Sequence, residues 1–295
     1  MENNLQWKYP EAIVECGWLN DQLGNQEVRI YDCTTYLHYT DNDPLKPYDV
    51  ESGLKNYKKD HIPNAAYLDL QNDLSDKSSP YSFTLPNLNE LATSFKNLGV
   101  GNPYHIILYA HNGMQWATRV WWMLRAIGFD KASVLNGGFM EWERLSLPTE
   151  STVNNFRPAD FEVQLKPQIF VGKEKVLEAI GDESSLLLNA LTEDLHIGEN
   201  PRYGRLGRIP NSLNTPFHYL VDAGTGKFKP PVDANHLFTE SGITPNLEII
   251  NYCGGGIAAT LDAFVLHQLG FHKLKIYDNS MSEWAMNEDL PIETG

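Results

Sequence analysis

Gly128-Phe-Asp-Lys-Ala-Ser-Val-Leu-Asn136 returns in the second half of the chain as Gly270-Phe-His-Lys-Leu-Lys-Ile-Tyr-Asp278, an offset of 142 residues (270 − 128). Glu141-Trp142 answers Glu283-Trp284 at the same spacing. Further back, Ile106-Ile-Leu-Tyr-Ala110 matches Ile249-Ile-Asn-Tyr-Cys253 at an offset of 143 (249 − 106), and His61-Ile-Pro-Asn-Ala-Ala66 matches Arg208-Ile-Pro-Asn-Ser-Leu213 at 147 (208 − 61). A period this long describes tandem copies of a whole domain, because solenoid repeats run about 20–50 residues. The slow drift of the offset fits small insertions and deletions in surface loops.

Each copy has the same order of elements. A short apolar run ends in a polar residue (28–32; 186–189), and a long loop then carries the Ile-Pro-Asn turn. A helical stretch follows (87–98; 233–241), then a β-type run (106–109; 248–252), a glycine-containing turn and a second helix. Val120, Trp121, Leu124 and Ile127 in one copy, and Leu261, Phe264, Val265 and Leu269 in the other, fall at helical spacing. A last short strand (133–135; 275–277) leads into the Glu-Trp pair. Short strands alternating with helices specify an α/β fold with a mainly parallel sheet in each copy, flanked by helices. The polar, proline-bounded stretch Pro148-Thr-Glu-Ser-Thr-Val-Asn-Asn-Phe-Arg-Pro158 has no period and reads as the connection. The expected division is residues 8–147, a linker over 148–162, and residues 163–295.

The chain has 295 residues, enough for two domains at roughly 100–200 each. Its 38 acidic and 23 basic side chains give a net charge of −15, a field that repels nucleic acid. No stretch approaches the ~20 apolar residues needed to cross a bilayer, so no membrane partner is expected. The opening Met1-Glu-Asn-Asn-Leu-Gln-Trp-Lys-Tyr-Pro10 is polar and has no apolar signal-peptide core. Three widely spaced cysteines (Cys16, Cys33, Cys253) exclude a disulfide framework and clustered-thiolate zinc. A soluble cytoplasmic protein in a reducing compartment is expected. Nine histidines show no metal spacing, so neither a metal nor a cofactor is expected. The acidic stretches Asp41–Asp43 and Glu288–Asp289 read as solvated loops.

Cys253 ends a predicted strand and opens Cys253-Gly-Gly-Gly-Ile-Ala-Ala-Thr260 just ahead of a helix. Reactive groups collect at the carboxyl ends of strands in open α/β sheets. Successive glycines let a loop fold around its first residue with several N–H groups aimed inward, and the helix N-terminus adds positive potential. Such a cradle favours a thiolate, with the thiol pKa below its free value of about 8.5. A small buried hydrophobe is the alternative reading of a single cysteine. Cys33 follows a strand without a glycine loop and Cys16 has no such context, so both read as structural.

The surrounding residues narrow the chemistry. A phosphatase cysteine needs an arginine six residues on, but Ala259 stands there. Papain-like catalysis needs a histidine on the sulfur, and His267 lies three or four turns down the following helix. The segment lacks the Gly-Lys-Ser/Thr of a P-loop. Amides without a fixed cation suit a cysteine that becomes a persulfide.

Taken together the chain resembles the tandem-domain rhodanese family of thiosulfate and 3-mercaptopyruvate sulfurtransferases, from about Val28 to Pro291. The marks are His61-Ile-Pro, Arg119-Val-Trp-Trp-Met-Leu-Arg125, Ser133-Val-Leu-Asn-Gly-Gly-Phe-Met-Glu-Trp142 and Pro201-Arg202 ahead of Gly207-Arg-Ile-Pro210. Asn214-Thr-Pro-Phe217, Cys253-Gly-Gly-Gly-Ile-Ala-Ala259 and Tyr277-Asp-Asn-Ser-Met-Ser-Glu-Trp284 complete them. The resemblance implies two rhodanese-like domains of which only the second carries a nucleophile, Ala110 occupying the first-copy position of Cys253. It implies that Cys253, within Gly254, Gly255, Gly256, Ile257 and Ala258, takes sulfane sulfur from a small-molecule donor. Cyanide, a thiol or a thioredoxin-like protein then accepts it in a ping-pong scheme. Arg202 would bind the donor, and Asp278 and Ser280 would buttress the loop, turn capping being their alternative role.

Some positions depart from the family pattern. Thiosulfate-type loops resemble Cys-Arg-Lys-Gly-Val-Thr and mercaptopyruvate-type loops Cys-Gly-Ser-Gly-Val-Thr; Gly255 matches neither, while Gly254 leans to the second. Of two substrate arginines expected before the second Ile-Pro turn, Arg202 matches one and Leu195 stands at the other, with Arg205 or Arg208 as candidate replacements. A sulfur carrier or partner-docking module with weak small-donor turnover is therefore the alternative function. His61 reads as a structural hydrogen-bonding residue and Arg119 as an interdomain ion-pair partner. Of Trp121 and Trp122, one is expected in the core and the other at the domain interface.

Overall fold

The computed structural model describes residues 5–40, 43 and 46–295; Met1–Asn4 and most of the Asp41–Asp43 stretch lie outside the described residues. In the first copy the strands are β1 (Ile13–Val14), β2 (Val28–Asp32), β3 (Thr35–Tyr39), β4 (Tyr48–Ser52), β5 (Ala66–Tyr67), β6 (His105–Tyr109) and β7 (Ala132–Leu135). In the second they are β8 (Phe170–Val171), β9 (Ser185–Asn189), β10 (Leu213–Asn214), β11 (Glu248–Tyr252) and β12 (Leu274–Tyr277). The first sheet is ordered β1-β7-β6-β2-β5 and the second β8-β12-β11-β9-β10, with every pairing parallel. The two orders are the same once the antiparallel hairpin β3–β4 is set aside. That hairpin is an addition to the first copy, and the expected long loop there is therefore partly strand.

The runs form strands because both sheet faces are covered, so they need no polar alternation. Ile106 and Leu108 of β6 face one core, while Ile107 and Tyr109 face a second cluster with Phe139 and Trp142. Helix α1 (Leu88–Asn97) starts where Asn87 Oδ1 accepts from Asn89 N at 2.9 Å, and it buries Leu91, Ala92 and Phe95. A cap of this kind contributes about 1 kcal/mol.

Helices α2 (Gln115–Ala126) and α3 (Ala258–Gln268) each follow the turn after a central strand, β6 or β11, and pack against one another between the sheets. Each is buried around nearly its whole circumference, because one side meets its own sheet and another meets the partner helix. Trp121 stacks its edge on Phe264 at 4.9 Å, and Trp122 Nε1 donates to Thr260 O at 3.1 Å. Both tryptophans therefore reach the second domain, and neither is confined to the core of the first. A single contiguous apolar core runs through this helix pair from one sheet to the other.

The connection between the copies is a strap laid on the first domain. His61 N donates to Glu150 O and Glu150 N to His61 O, both at 2.9 Å, while Asn154 N donates to Tyr57 Oη at 2.8 Å. Phe156 packs edge-on against Tyr31 at 5.2 Å. His61 is fully buried, with Nδ1 2.5 Å from Tyr57 O and its ring stacked on Tyr57.

Candidate active site

Cys253 leaves the carboxyl end of β11, as Ala110 leaves β6. The start of the helix Ser280–Trp284 holds the loop from below. Cys253 N donates to Ser280 Oγ at 3.0 Å, and Ser280 Oγ donates to Tyr277 O at 2.7 Å. Met281 N donates to Cys253 O at 3.0 Å, while Ser282 N and Oγ both donate to Gly254 O at 2.8 Å.

The first domain holds the same loop from above. Arg119 is fully buried and donates through Nη1 to Gly256 O at 3.2 Å, and through Nη2 to Asp278 Oδ1 at 2.6 Å and Phe83 O at 2.7 Å. The other carboxylate oxygen of Asp278 accepts from Leu85 N at 2.6 Å. Asp278 thus joins the domains, and Arg119 forms the interdomain ion pair expected of it. Ser280 touches the Cys253 backbone directly, whereas Asp278 acts through Arg119.

The glycines are explained by close approach. Gly256 has φ +71°, and a Cβ there would lie 2.1 Å from Asp278 O, a contact no side chain tolerates. A Cβ at Gly255 would lie 2.6 Å from Tyr48 Oη, and one at Gly254 would lie 1.9 Å from Tyr203 Oη. No hydrogen bond reaches Cys253 Sγ among the described residues, so the expected ring of amides does not close on the thiol itself. The N–H groups of Gly254, Gly255, Gly256 and Ile257 have no acceptor among the described residues. They remain free for a group attached to the sulfur.

Cys253 opens on a cavity of about 140 Å³. The first domain contributes Leu37, Tyr39, Tyr48, Phe83, Gln115 and Trp116, and the second Leu191, Leu195, Arg202, Tyr203 and Phe217, together with Ile257 and Ala258 of the loop. Burial pushes the Tyr48 hydroxyl up to about 12 and the Tyr203 hydroxyl well above its usual value, so both stay protonated donors. The other two thiols contrast with this setting. Burial pushes Cys16 up to about 12, helped by the Glu141 and Glu15 carboxylates, and raises Cys33 well above the usual range, with Asp32 adding to it.

A family model described as the rhodanese-like domain matches residues 15–145 and again 174–287. The chain belongs to the rhodanese-like family. It is 31% identical over 285 residues to the 3-mercaptopyruvate sulfurtransferase of Escherichia coli (strain K12), covering 95% of this chain and 97% of the relative. It is 28% identical over 306 residues to thiosulfate/3-mercaptopyruvate sulfurtransferase 2 of Arabidopsis thaliana, covering 96% and 86%. The crystal structure of SseA from Escherichia coli, which has the rhodanese fold, superposes with a TM-score of 0.75 at 27% identity over 91% of this chain and 98% of that one.

Within this rhodanese-like site the arginines divide sharply. Arg202 lines the cavity with its guanidinium 3.9 Å from the Tyr39 ring centre. Arg205 instead spends its donors on the carbonyls of Ala285, Leu290, Trp284 and Asn287 at 2.6–2.9 Å. Arg208 pairs with Glu293 and donates to the carbonyls of His196 and Gly295. Neither lines the cavity, so neither replaces the arginine missing at Leu195, which is itself a buried wall residue. His267 lies far from the thiol, stacked on Tyr9 at 4.3 Å.

Sequence reasoning missed Leu37, Tyr39, Tyr48 and Tyr203. The first three ride on the β3–β4 hairpin, whose Thr35-Tyr-Leu-His-Tyr39 sets Tyr36 beside Leu37 and so lacks the apolar–polar alternation that marks a strand. Tyr203 directly follows Arg202, and only the bare Gly254 opposite it hints at a large neighbour.

Proposed function

We propose that this rhodanese-like protein is a sulfurtransferase that carries sulfane sulfur as a persulfide on Cys253. The observation that carries the reading is that Cys253 opens on a cavity and begins a loop whose amides have no acceptor among the described residues. The thiolate attacks the outer sulfur of thiosulfate; a new S–S bond forms, the donor's S–S bond breaks, and its electron pair leaves on sulfite. A nucleophilic acceptor such as cyanide or a thiolate then attacks the terminal sulfur, and the pair of the broken bond returns to Cys253. The amides of Gly254, Gly255, Gly256, Ile257 and Ala258 stabilise the persulfide anion, Arg202 binds the donor's charge, and Ser280 and Asp278 keep the loop in shape. Residues 8–147 and 163–295 act as the two domains joined by 148–162, with the first closing the site. Among the described residues no helix is long and apolar enough to cross a membrane, and a cytoplasmic location completes the reading.

The test is intact mass after incubation with thiosulfate or 3-mercaptopyruvate. A gain of one sulfur on the wild type that is lost in Cys253→Ser supports the reading, and no gain with any sulfane donor would falsify it. The single cavity arginine favours a second reading, a carrier loaded by a protein donor, which predicts persulfide formation with negligible small-donor turnover.

A further inference from the structure

We infer that Tyr39 is a positioning residue for the donor-binding step. Its ring, on the first domain, supports the Arg202 guanidinium of the second and leaves the arginine's N–H groups for the donor's anionic group. The assignment rests on the sulfurtransferase reading, in which Arg202 binds the donor.

The arginines of this segment are held in different ways. Arg205 donates to the carbonyls of Ala285, Leu290, Trp284 and Asn287, and Arg208 to those of His196 and Gly295 and to Glu293. Their donors are spent inside their own domain. Arg202 is fixed through its main chain instead: its N donates to Asn200 Oδ1 at 3.1 Å, and Asn200 Nδ2 donates to Asp194 Oδ2 at 2.8 Å. Among the described residues its side chain makes no hydrogen bond or ion pair, and its guanidinium carbon lies 3.9 Å from the centre of the Tyr39 ring.

A guanidinium packs well on an aromatic face, because the negative face of the ring attracts the cation and because the group is weakly hydrated. Contact through the face spends none of the N–H groups on an acceptor, so the fork stays able to donate in pairs to an oxyanion. An unsupported arginine loses much of its rotamer freedom on meeting an anion. One already resting on a ring loses less, so part of the ordering precedes binding.

Tyr39 can serve as such a support because the hairpin fixes it. It pairs with Tyr48 across the ladder, and Thr40 N donates to Pro47 O at 3.2 Å just beyond. The two tyrosine rings meet edge to face at 6.3 Å. Tyr48 is buried whereas Tyr39 is 53% exposed, so Tyr39 adds little to the core and its ring face is open to Arg202. Both tyrosines and Arg202 line the cavity on which Cys253 opens. The first domain thus sets the posture of a cation that belongs to the second.

The experiment follows single-turnover persulfide formation on the full chain by intact mass, over a range of thiosulfate and, separately, 3-mercaptopyruvate concentrations. The concentration dependence separates the donor's apparent Kd from the limiting loading rate. Tyr39→Leu, which keeps bulk without a ring, is expected to raise the apparent Kd about three- to fivefold at an unchanged limiting rate and unfolding midpoint. Tyr39→Phe, which keeps the ring face, is expected to raise it by about 1.5-fold or less. In an Arg202→Gln background Tyr39→Leu is expected to add nothing, because the two side chains act as one unit. An unchanged Kd in Tyr39→Leu, equal damage in Tyr39→Phe, or a full Tyr39→Leu effect on Arg202→Gln would overturn the assignment while leaving sulfur transfer intact. Arg202→Gln binding the donor as tightly as the wild type would take Arg202, and Tyr39 with it, out of donor binding. Absence of any persulfide from both donors would sink the sulfurtransferase reading as well.

Discussion

Thr118 and Thr260 meet hydroxyl to hydroxyl at 2.9 Å where α2 crosses α3. Their separation is 142 residues, the offset of the internal repeat, so each is the other's counterpart in the duplicated fold. A residue touching its own duplicate marks the axis of a two-fold relation, the contact expected of an isologous pair. One residue further on the symmetry is broken, because Arg119 faces the second domain while its counterpart is Leu261.

Arg119 is expected to govern both stability and loop shape. Arg119→Ala strands Asp278 and frees Gly256 O, at a cost of about 3 kcal/mol in urea unfolding. Arg119→Lys keeps a charge but loses the forked geometry, and should fall between the two in unfolding midpoint and in persulfide loading.

The three thiols should separate under alkylation. Iodoacetamide is expected to label Cys253 in the folded protein and to reach Cys16 and Cys33 only in denaturant, because burial holds those two protonated and enclosed. Peptide mapping reads the order, and equal labelling of all three under native conditions would contradict it.

Adding a side chain at position 255 tests the Tyr48 contact. Gly255→Ser places a Cβ 2.6 Å from Tyr48 Oη, and is expected to lower stability by about 1–3 kcal/mol and to slow loading. Adding Tyr48→Phe removes the obstructing oxygen and should recover part of both losses. A double variant no better than the single one would show that the strain lies elsewhere.

Acid should weaken the domain interface through His267. Burial, with Arg125 and His272, pushes this imidazole down to about 4, against an unfolded value near 6.5. Above pH 6.5 the group is neutral in both states and its contribution is fully present. As pH falls toward 4 the unfolded chain binds the proton first, so stability is lost at about 1.4 kcal/mol per pH unit from this residue. His267→Gln should have a shallower dependence between pH 6.5 and 5 in denaturant titrations.

Asp262 titrates in the opposite sense. It is fully buried in α3 with neither carboxylate oxygen hydrogen-bonded, and burial raises its pKa well above the usual value. Its folded form retains a proton that the unfolded chain releases above about pH 4, so stability falls as pH rises from there. The first copy carries Val120 at the equivalent place. Asp262→Val is expected to gain about 1–3 kcal/mol at pH 7 and less in acid, measured by thermal and denaturant unfolding.

The duplicated α/β plan was legible because β6 and β11 are short, largely apolar runs, each followed by a glycine-containing turn and a helix, and because the second half repeats the first. The strands Ile13–Val14, Ala66–Tyr67, Phe170–Val171 and Leu213–Asn214 are too short to show a period and exist only through pairing with their neighbours. At the site, Cys253 and Arg202 stood out locally. The partners Arg119 and Asp278 lie 159 residues apart, and Tyr48 reaches Gly255 from another domain; no local pattern encodes such meetings. The fully wrapped burial of α2 and α3 was hidden for the same reason, since a one-face periodicity cannot announce a second helix on the opposite side.

Tyr48 ties the history of the two halves together. The hairpin that brings it exists in the first copy, yet its hydroxyl occupies the ground a side chain at position 255 would claim. The copy without a nucleophile has thereby become the mould for the copy with one. Grafting a first half from a relative that lacks this tyrosine would leave a vacant notch beside the cysteine, so substitutions in the hairpin and in the glycine run must accumulate in step.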